Sequence, residues 1–201
     1  MPRIIAFLFI MLIATYAQSQ QIVEDDFVIA NEKLAAGDIQ DALTRYNKLI
    51  EQTPKVPRLY YNRSLAYIAS GEYEKAIDDC NMAISLDGAY YEGWYGRGVA
   101  RFKSGDFEKA LADASLAVIL GKNNNESWFL RASVYFKMKE YAKAIDDFTK
   151  SLQLDPTNSD ALINRGICYY NTGKLSDACH DFKAALDKGS KKAKMYMDKY
   201  C

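Results

Sequence analysis

The chain has 201 residues, 49% of them hydrophobic, and its 26 basic and 26 acidic residues leave no net charge at neutral pH. That length suits one domain or one continuous stacked array. Balanced charge argues against nucleic acid as a partner, because counterion release on DNA needs a basic face; the single basic cluster, Lys188, Lys191, Lys192 and Lys194, reads as a solvated helix end.

Residues 1–19 differ from the rest. Arg3 gives a positive start, Ile4 to Ala14 is an apolar run, and Thr15 to Ser19 is small and polar. This is the three-part build of a secretory signal peptide. The run is shorter than the roughly 20 apolar residues of a spanning helix, so an uncleaved anchor is the weaker reading. Cleavage after Ala17 and cleavage after Ser19 both meet the small-residue rule, and no cysteine near the junction points to a lipoprotein-type anchor. The expectation is a periplasmic or secreted mature chain, 20–201, with no stable membrane span.

From about residue 23 a fixed period sets in. Ala42, Ala76, Ala110, Ala144 and Ala178 are each 34 residues apart, and Gly37, Gly71, Gly105 and Gly173 keep the same register, with Lys139 as the exception. A third column is small throughout: Ala30, Ser64, Gly98, Ala132 and Gly166. A 34-residue period with small residues at fixed offsets marks an array of helical hairpins. In chain order the hairpins are expected near 23–56, 57–90, 91–124, 125–158 and 159–192, followed by a short closing helix at 193–200. The first departs from the others, with Asp26 where later ones carry Tyr60, Trp94, Trp128 and Leu162, and Lys33 where others carry Tyr67, Tyr135 and Tyr169. Polar replacements suit a terminal repeat with one unpartnered face. Within each hairpin the first helix breaks at the Gly column, where a left-handed backbone ends it; Lys139 in that conformation should cost about 1 kcal/mol. Pro54, Pro57 and Pro156 fall between hairpins, stopping one helix or starting the next.

These positions resemble the tetratricopeptide repeat family: Trp128, Ala132, Tyr135, Ala144, Phe148, Ser151 and Pro156 in the fourth hairpin, and Trp94, Gly98, Ala110, Ala114 and Ala117 in the third, where Arg101 departs from the tyrosine. The resemblance covers about 23–192 and implies an all-α fold, an α-solenoid winding as a right-handed superhelix of five helical hairpins plus a terminal helix. It also implies a protein or peptide partner held on the concave surface made by successive first helices. The family's binding offsets fall on Tyr61, Tyr95, Phe129 and Ile163 in one row and on Ile68, Phe102, Phe136 and Tyr170 in another, with Leu65, Val99, Ser133 and Ile167 between. Exposed apolar rows mark interaction sites, and these suit a hydrophobic helix or extended segment. The alternative is that the rings pack on one another as a groove wall, and both can hold for different rows. Family members that clamp an acidic tail use Lys, Arg and Asn here; this chain keeps only Asn62 and Asn164, so the clamp is not carried over.

One column departs from the family's leucine: Arg63, Arg97, Arg131 and Arg165, each 16 residues before Asp79, Asp113, Asp147 and Asp181. Pairing within each hairpin leaves no member orphaned, so four structural ion pairs are expected; a row of charges for an acidic ligand is the alternative. Of the four cysteines, Cys80 sits in a packing column with Tyr46, Ala114, Phe148 and Phe182. Export favours disulfides, and Cys179–Cys201, Cys168–Cys179 and free thiols all stay open.

Catalysis is not expected. The single His180 leaves one candidate base for any triad, and no HExxH, GxSxG or phosphate-loop motif occurs. The glycine-rich stretch from Gly93 to Gly98 lies inside a helix with no strand before it, so it is no dinucleotide motif. His180 adjoins Cys179 on a helix and points elsewhere, so neither a metal nor any other cofactor is expected. The function read from the sequence is a non-enzymatic scaffold; a chaperone-like accessory subunit shielding apolar segments and a carrier of a hydrophobic ligand are the alternatives.

Overall fold

The computed structural model describes residues 23–201, so the expected signal peptide lies outside the described residues. Among the described residues there are eleven helices and no strand. They form two compact units, one ending at Leu86 and one spanning Asp87–Cys201. The first unit holds α1 (23–35), α2 (Ile39–Gln52), α3 (Pro57–Ser70) and α4 (Tyr73–Leu86). The second holds α5 (Tyr91–Ser104), α6 (Phe107–Leu120), α7 (Asn125–Lys137), α8 (Tyr141–Leu154), α9 (Ser159–Asn171), α10 (Leu175–Asp187) and α11 (Lys191–Tyr200). Consecutive helices pair as hairpins, and the architecture is an α-solenoid of such hairpins.

Two columns of side chains set the distance between the helices of a hairpin. The alanines Ala42, Ala76, Ala110, Ala144 and Ala178 have no exposed surface, and neither have Tyr46, Cys80, Ala114, Phe148 and Phe182 four residues on. Facing these larger residues are the small ones of the first helices. At Gly166 a Cβ would stand 2.6 Å from the Phe182 ring, so the hairpin can close over phenylalanine only because glycine faces it. Where the second-helix residue shrinks to Cys80, the facing residue is Ser64, whose hydroxyl accepts from the thiol at 3.2 Å. The pair does not keep one volume throughout: in the third hairpin Gly98 faces Ala114, and there Leu130 of the next hairpin fills the space, its Cδ2 lying 3.1 Å from where a Cβ on Gly98 would stand. In the first unit Tyr46 buries its ring and donates its hydroxyl to Asn31 at 2.6 Å; burial pushes its pKa up to about 12.

Helix ends follow local chemistry. Asp106, Asn124 and Asn158 each accept a backbone N–H three residues on, capping α6, α7 and α9, while Pro57 begins α3. Gly71 closes α3 at φ 81°, a left-handed conformation that glycine enters without penalty. Lys139 occupies the same place after α7 at φ 62° and is the one non-glycine residue with positive φ among the described residues.

Helix α11 begins at Lys191, two residues before the expected start, because Gly189 at φ 87° ends the preceding turn and Ser190 leads straight into the helix. It docks through the fully buried Ala193 and a cluster of rings, with Tyr196 stacked 5.3 Å from Phe182 and Tyr200 4.2 Å from Tyr170. A disulfide between Cys179 of α10 and Cys201 fastens its end. Cys80 and Cys168 are buried and take no part in a disulfide; burial pushes the Cys168 thiol up to about 12, which leaves it unreactive.

Two outcomes follow. Lys139→Gly should raise the free energy of unfolding by about 1 kcal/mol in urea titrations, since it removes the left-handed penalty; an unchanged midpoint would mean that the side chain compensates. Cys201→Ser should cost about 3 kcal/mol, the chain-entropy value for a loop of this size, with hydrogen exchange rising first in α11.

Candidate functional site

The first helices are held by a repeated cluster built around an arginine. In each of hairpins two to five, the arginine of the first helix donates through Nε and Nη2 to both oxygens of the aspartate 16 residues on. The eight bonds, Arg63–Asp79, Arg97–Asp113, Arg131–Asp147 and Arg165–Asp181, run from 2.6 to 3.0 Å. The aspartates are at most 5% exposed, so these are desolvated, fork-on-fork pairs, the strongest geometry for an Arg–carboxylate contact. Those bonds hold the Arg63, Arg131 and Arg165 guanidiniums above the ordinary arginine range. At Asp79 burial raises the carboxyl and the Arg63 bonds oppose it.

Aromatic rings flank each guanidinium. Arg63 lies over Tyr60 and Tyr67, Arg131 over Trp128 and Tyr135, Arg97 over Trp94 and Arg165 over Tyr169, at 4.7–6.0 Å from the ring centroids. The rings shield the cation from water and attract it through their faces. Three of them also fix the loop before their helix, because Tyr60, Trp94 and Trp128 donate to the carbonyls of Pro54, Gly88 and Lys122, each six residues back. Arg63 and Arg165 also reach the preceding hairpin, donating to Asn47 at 2.7 Å and to Thr149 at 3.0 Å. Arg63 and Arg165 therefore each tie three helices together.

Two features escape the column argument. Arg101, which replaces a tyrosine, donates to Asp113 at 2.8 Å, so that carboxylate is shared by two arginines. The first hairpin has the charges reversed: Asp26 of α1 meets Arg45 and Lys48 of α2 at 3.4 and 2.9 Å, and Lys33 meets Asp38 and Asp41. The signal was present in Arg45, which stands in the aspartate column, and in Asp26, which stands in the aromatic one.

The rows expected to face solvent behave unevenly. In the second unit α5 touches α7 and α7 touches α9, so their shared face is partly closed by neighbours. Tyr95, Val99, Phe102, Phe129 and Phe136 are half-buried against the core clusters of that unit. Phe129 meets Phe148 edge-on at 5.6 Å, and Phe102 and Phe136 lie 5.7 and 6.1 Å from Phe107 and Tyr141 at the start of the second helix. Burial, with Glu126 adding repulsion, pushes the Tyr95 hydroxyl up to about 12. Ile163 differs from the expectation: it has no exposed surface, because it sits inside the core cluster of the last two hairpins and cannot present itself to a ligand. Tyr170 is 43% exposed, although one side of its ring is covered by Tyr200. In the first unit, Tyr61, Leu65 and Ile68 are half-buried on α3. Among the described residues no cluster of three metal-ligating side chains occurs, and His180 is exposed on α10.

Three family models, each described as tetratricopeptide repeat, match residues 27–91, 126–158 and 148–180, together more than half of the chain. With the 34-residue register and the hairpin geometry, they show that the chain belongs to the tetratricopeptide repeat family, whose members are protein-interaction scaffolds that bind protein or peptide partners. Among solved structures it is similar to MamA at 27% identity, with 83% of this chain and 97% of that one covered at a TM-score of 0.69. A likeness of fold extends to YrrB, described as a TPR protein with an unusual peptide-binding site, at 22% identity, 87% and 90% coverage and a TM-score of 0.66. It also extends to the type IV pilus biogenesis factor PilW, at 17% identity, 84% and 78% coverage and a TM-score of 0.76. No described helix is long and apolar enough to cross a membrane.

Because two cations converge on it, Asp113 should be the most sensitive of the four aspartates. Asp113→Ala leaves Arg97 and Arg101 without their shared carboxylate and is expected to lower stability by about 3–5 kcal/mol in urea unfolding. Arg101→Tyr, which restores the residue of the sibling hairpins, should cost far less, since Arg97 keeps both its bonds.

Proposed function

We propose that the chain is a non-enzymatic scaffold of an exported assembly, holding a peptide or helix of its partner against the first-helix rows of α5, α7 and α9. The observation that carries this reading is the recurrence of Tyr95, Val99, Phe102, Phe129 and Phe136 at the same offsets on adjoining helices, half-buried and so still offering ring surface. Rings already held by the core lose little freedom on binding, which favours affinity from modest area. Ile163 belongs to the support beneath that face, and Tyr170 to its edge. Helix α3 carries Tyr61, Leu65 and Ile68 at the matching offsets in the first unit. The four Arg–Asp pairs act as structural supports rather than as ligands, because both charges of each pair are spent on one another.

An extracytoplasmic site of action fits the Cys179–Cys201 disulfide, since such bonds persist in oxidising compartments. The leader-like residues 1–19 agree with it, and type IV pilus biogenesis, in which PilW is a factor, is a setting of that kind.

The test is a cross-linked pull-down from envelope extract, comparing the native chain with Tyr95→Glu/Phe129→Glu, the latter checked for helicity by circular dichroism. One protein recovered by the native chain and lost by the variant is the expected result. Recovery of the same proteins by both would move the binding site off this face.

A further inference from the structure

The outward side of α6 carries a second surface, separate from the first-helix rows. The helix ends Leu116-Ala117-Val118-Ile119-Leu120. Ala117 and Val118 are buried, whereas Leu116, Ile119 and Leu120 are 37%, 67% and 41% exposed. Their spacing of three and four residues aligns them as one stripe. The 34-residue register supplies an internal control. At the place of Ile119 the other hairpins carry Glu51, Ser85, Gln153 and Asp187, so hairpin packing does not call for an aliphatic residue there. A stripe of this kind in open solvent is a liability unless something covers it.

One shallow concavity adjoins the end of the stripe at Leu120, and a second shares Lys122 and Asn123 with the first. One, of about 350 Å³, is bordered by Leu120, Tyr91 and Lys122. The other, of about 280 Å³, lies between Lys122, Trp128, Lys150 and Leu154, the last of which is 44% exposed. Lys122 and Lys150 are the charged residues of the two linings, and neither lining includes a carboxylate among the described residues. Lys150 spends one donor on Gln153 at 3.2 Å and keeps the others for a ligand.

We propose that this face docks a partner segment that is both acidic and amphipathic. Its aliphatic side chains cover Ile119 and enter the concavities beside Leu120 and Leu154, and its carboxylates meet Lys122 and Lys150. Recesses of side-chain size favour such a segment over an anionic membrane surface, which would meet protruding groups only. The site is independent of the first-helix face, so one chain can hold two partners at once.

Fluorescence anisotropy tests this with a labelled helical peptide of Leu and Glu, its counterpart with Lys in place of Glu, and vesicles of phosphatidylcholine with phosphatidylglycerol. The acidic peptide is expected to bind the chain saturably. Ile119→Ser, which installs the residue type of Ser85, and Lys122→Glu/Lys150→Glu should each weaken it by about tenfold or more. Equal binding of the basic peptide, absence of saturable binding, or unchanged affinity in both variants would overturn the proposal. Vesicle binding without peptide binding would also overturn it, assigning the face to a lipid surface instead.

Discussion

The structure depends on a charge pair whose carboxylate is almost wholly buried and whose guanidinium is largely so. A guanidinium and a carboxylate, each expensive to desolvate, face one another across every hairpin from the second to the fifth, and the fork geometry satisfies both carboxylate oxygens at once. Such a pair adds little net stability compared with a well-packed apolar substitute, yet it strongly penalises any arrangement that separates its members. Its effect is on register. A first helix that slid by one turn along its partner would bury an unpaired arginine and an unpaired aspartate together. The aromatic rings beside each guanidinium narrow the choice further, and those of Tyr60, Trp94 and Trp128 carry the constraint into the loop by binding its carbonyls.

The same clusters explain why the first-helix face is firm. Arg63 and Arg165 bind the preceding hairpin as well as their own, so adjoining hairpins are joined by hydrogen bonds and not by apolar contact alone. A proposed binding face made of half-buried rings on helices fixed in this way needs little reorganisation to receive a ligand. The outward stripe on α6 is of another kind. The repeat does not require its most exposed member, Ile119, which stands where the other four hairpins carry Glu51, Ser85, Gln153 and Asp187.

Much of the fold was legible in the sequence because the repeat prints each structural need five times. The alanine column gave the hairpin register, the glycine column gave the helix ends, and Lys139 stood out as a left-handed residue because its siblings are glycine. The 16-residue spacing from arginine to aspartate could be read as contact within a hairpin, since only that pairing leaves nothing over. What escaped depends on the third dimension. Arg101 looked like the loss of a tyrosine, although its place one turn after Arg97 on the same face of α5 brings it to Asp113. Ile163 shares its offset with Tyr95 and Phe129, but the packing around α9 decides that it is core. The cysteines were undecided because Cys168 and Cys201 were both plausible neighbours of Cys179 until the docking of α11 fixed the choice.

The clasp between Cys179 and Cys201 gives the array a polarity that its repeats lack. A stack of similar hairpins frays from its ends, each terminal unit having only one neighbour. Here α11 is stitched covalently to the hairpin beneath it. The end of α11 therefore cannot part from α10 while the bond is intact, and a reductant would release the helix without breaking any contact inside the hairpins themselves.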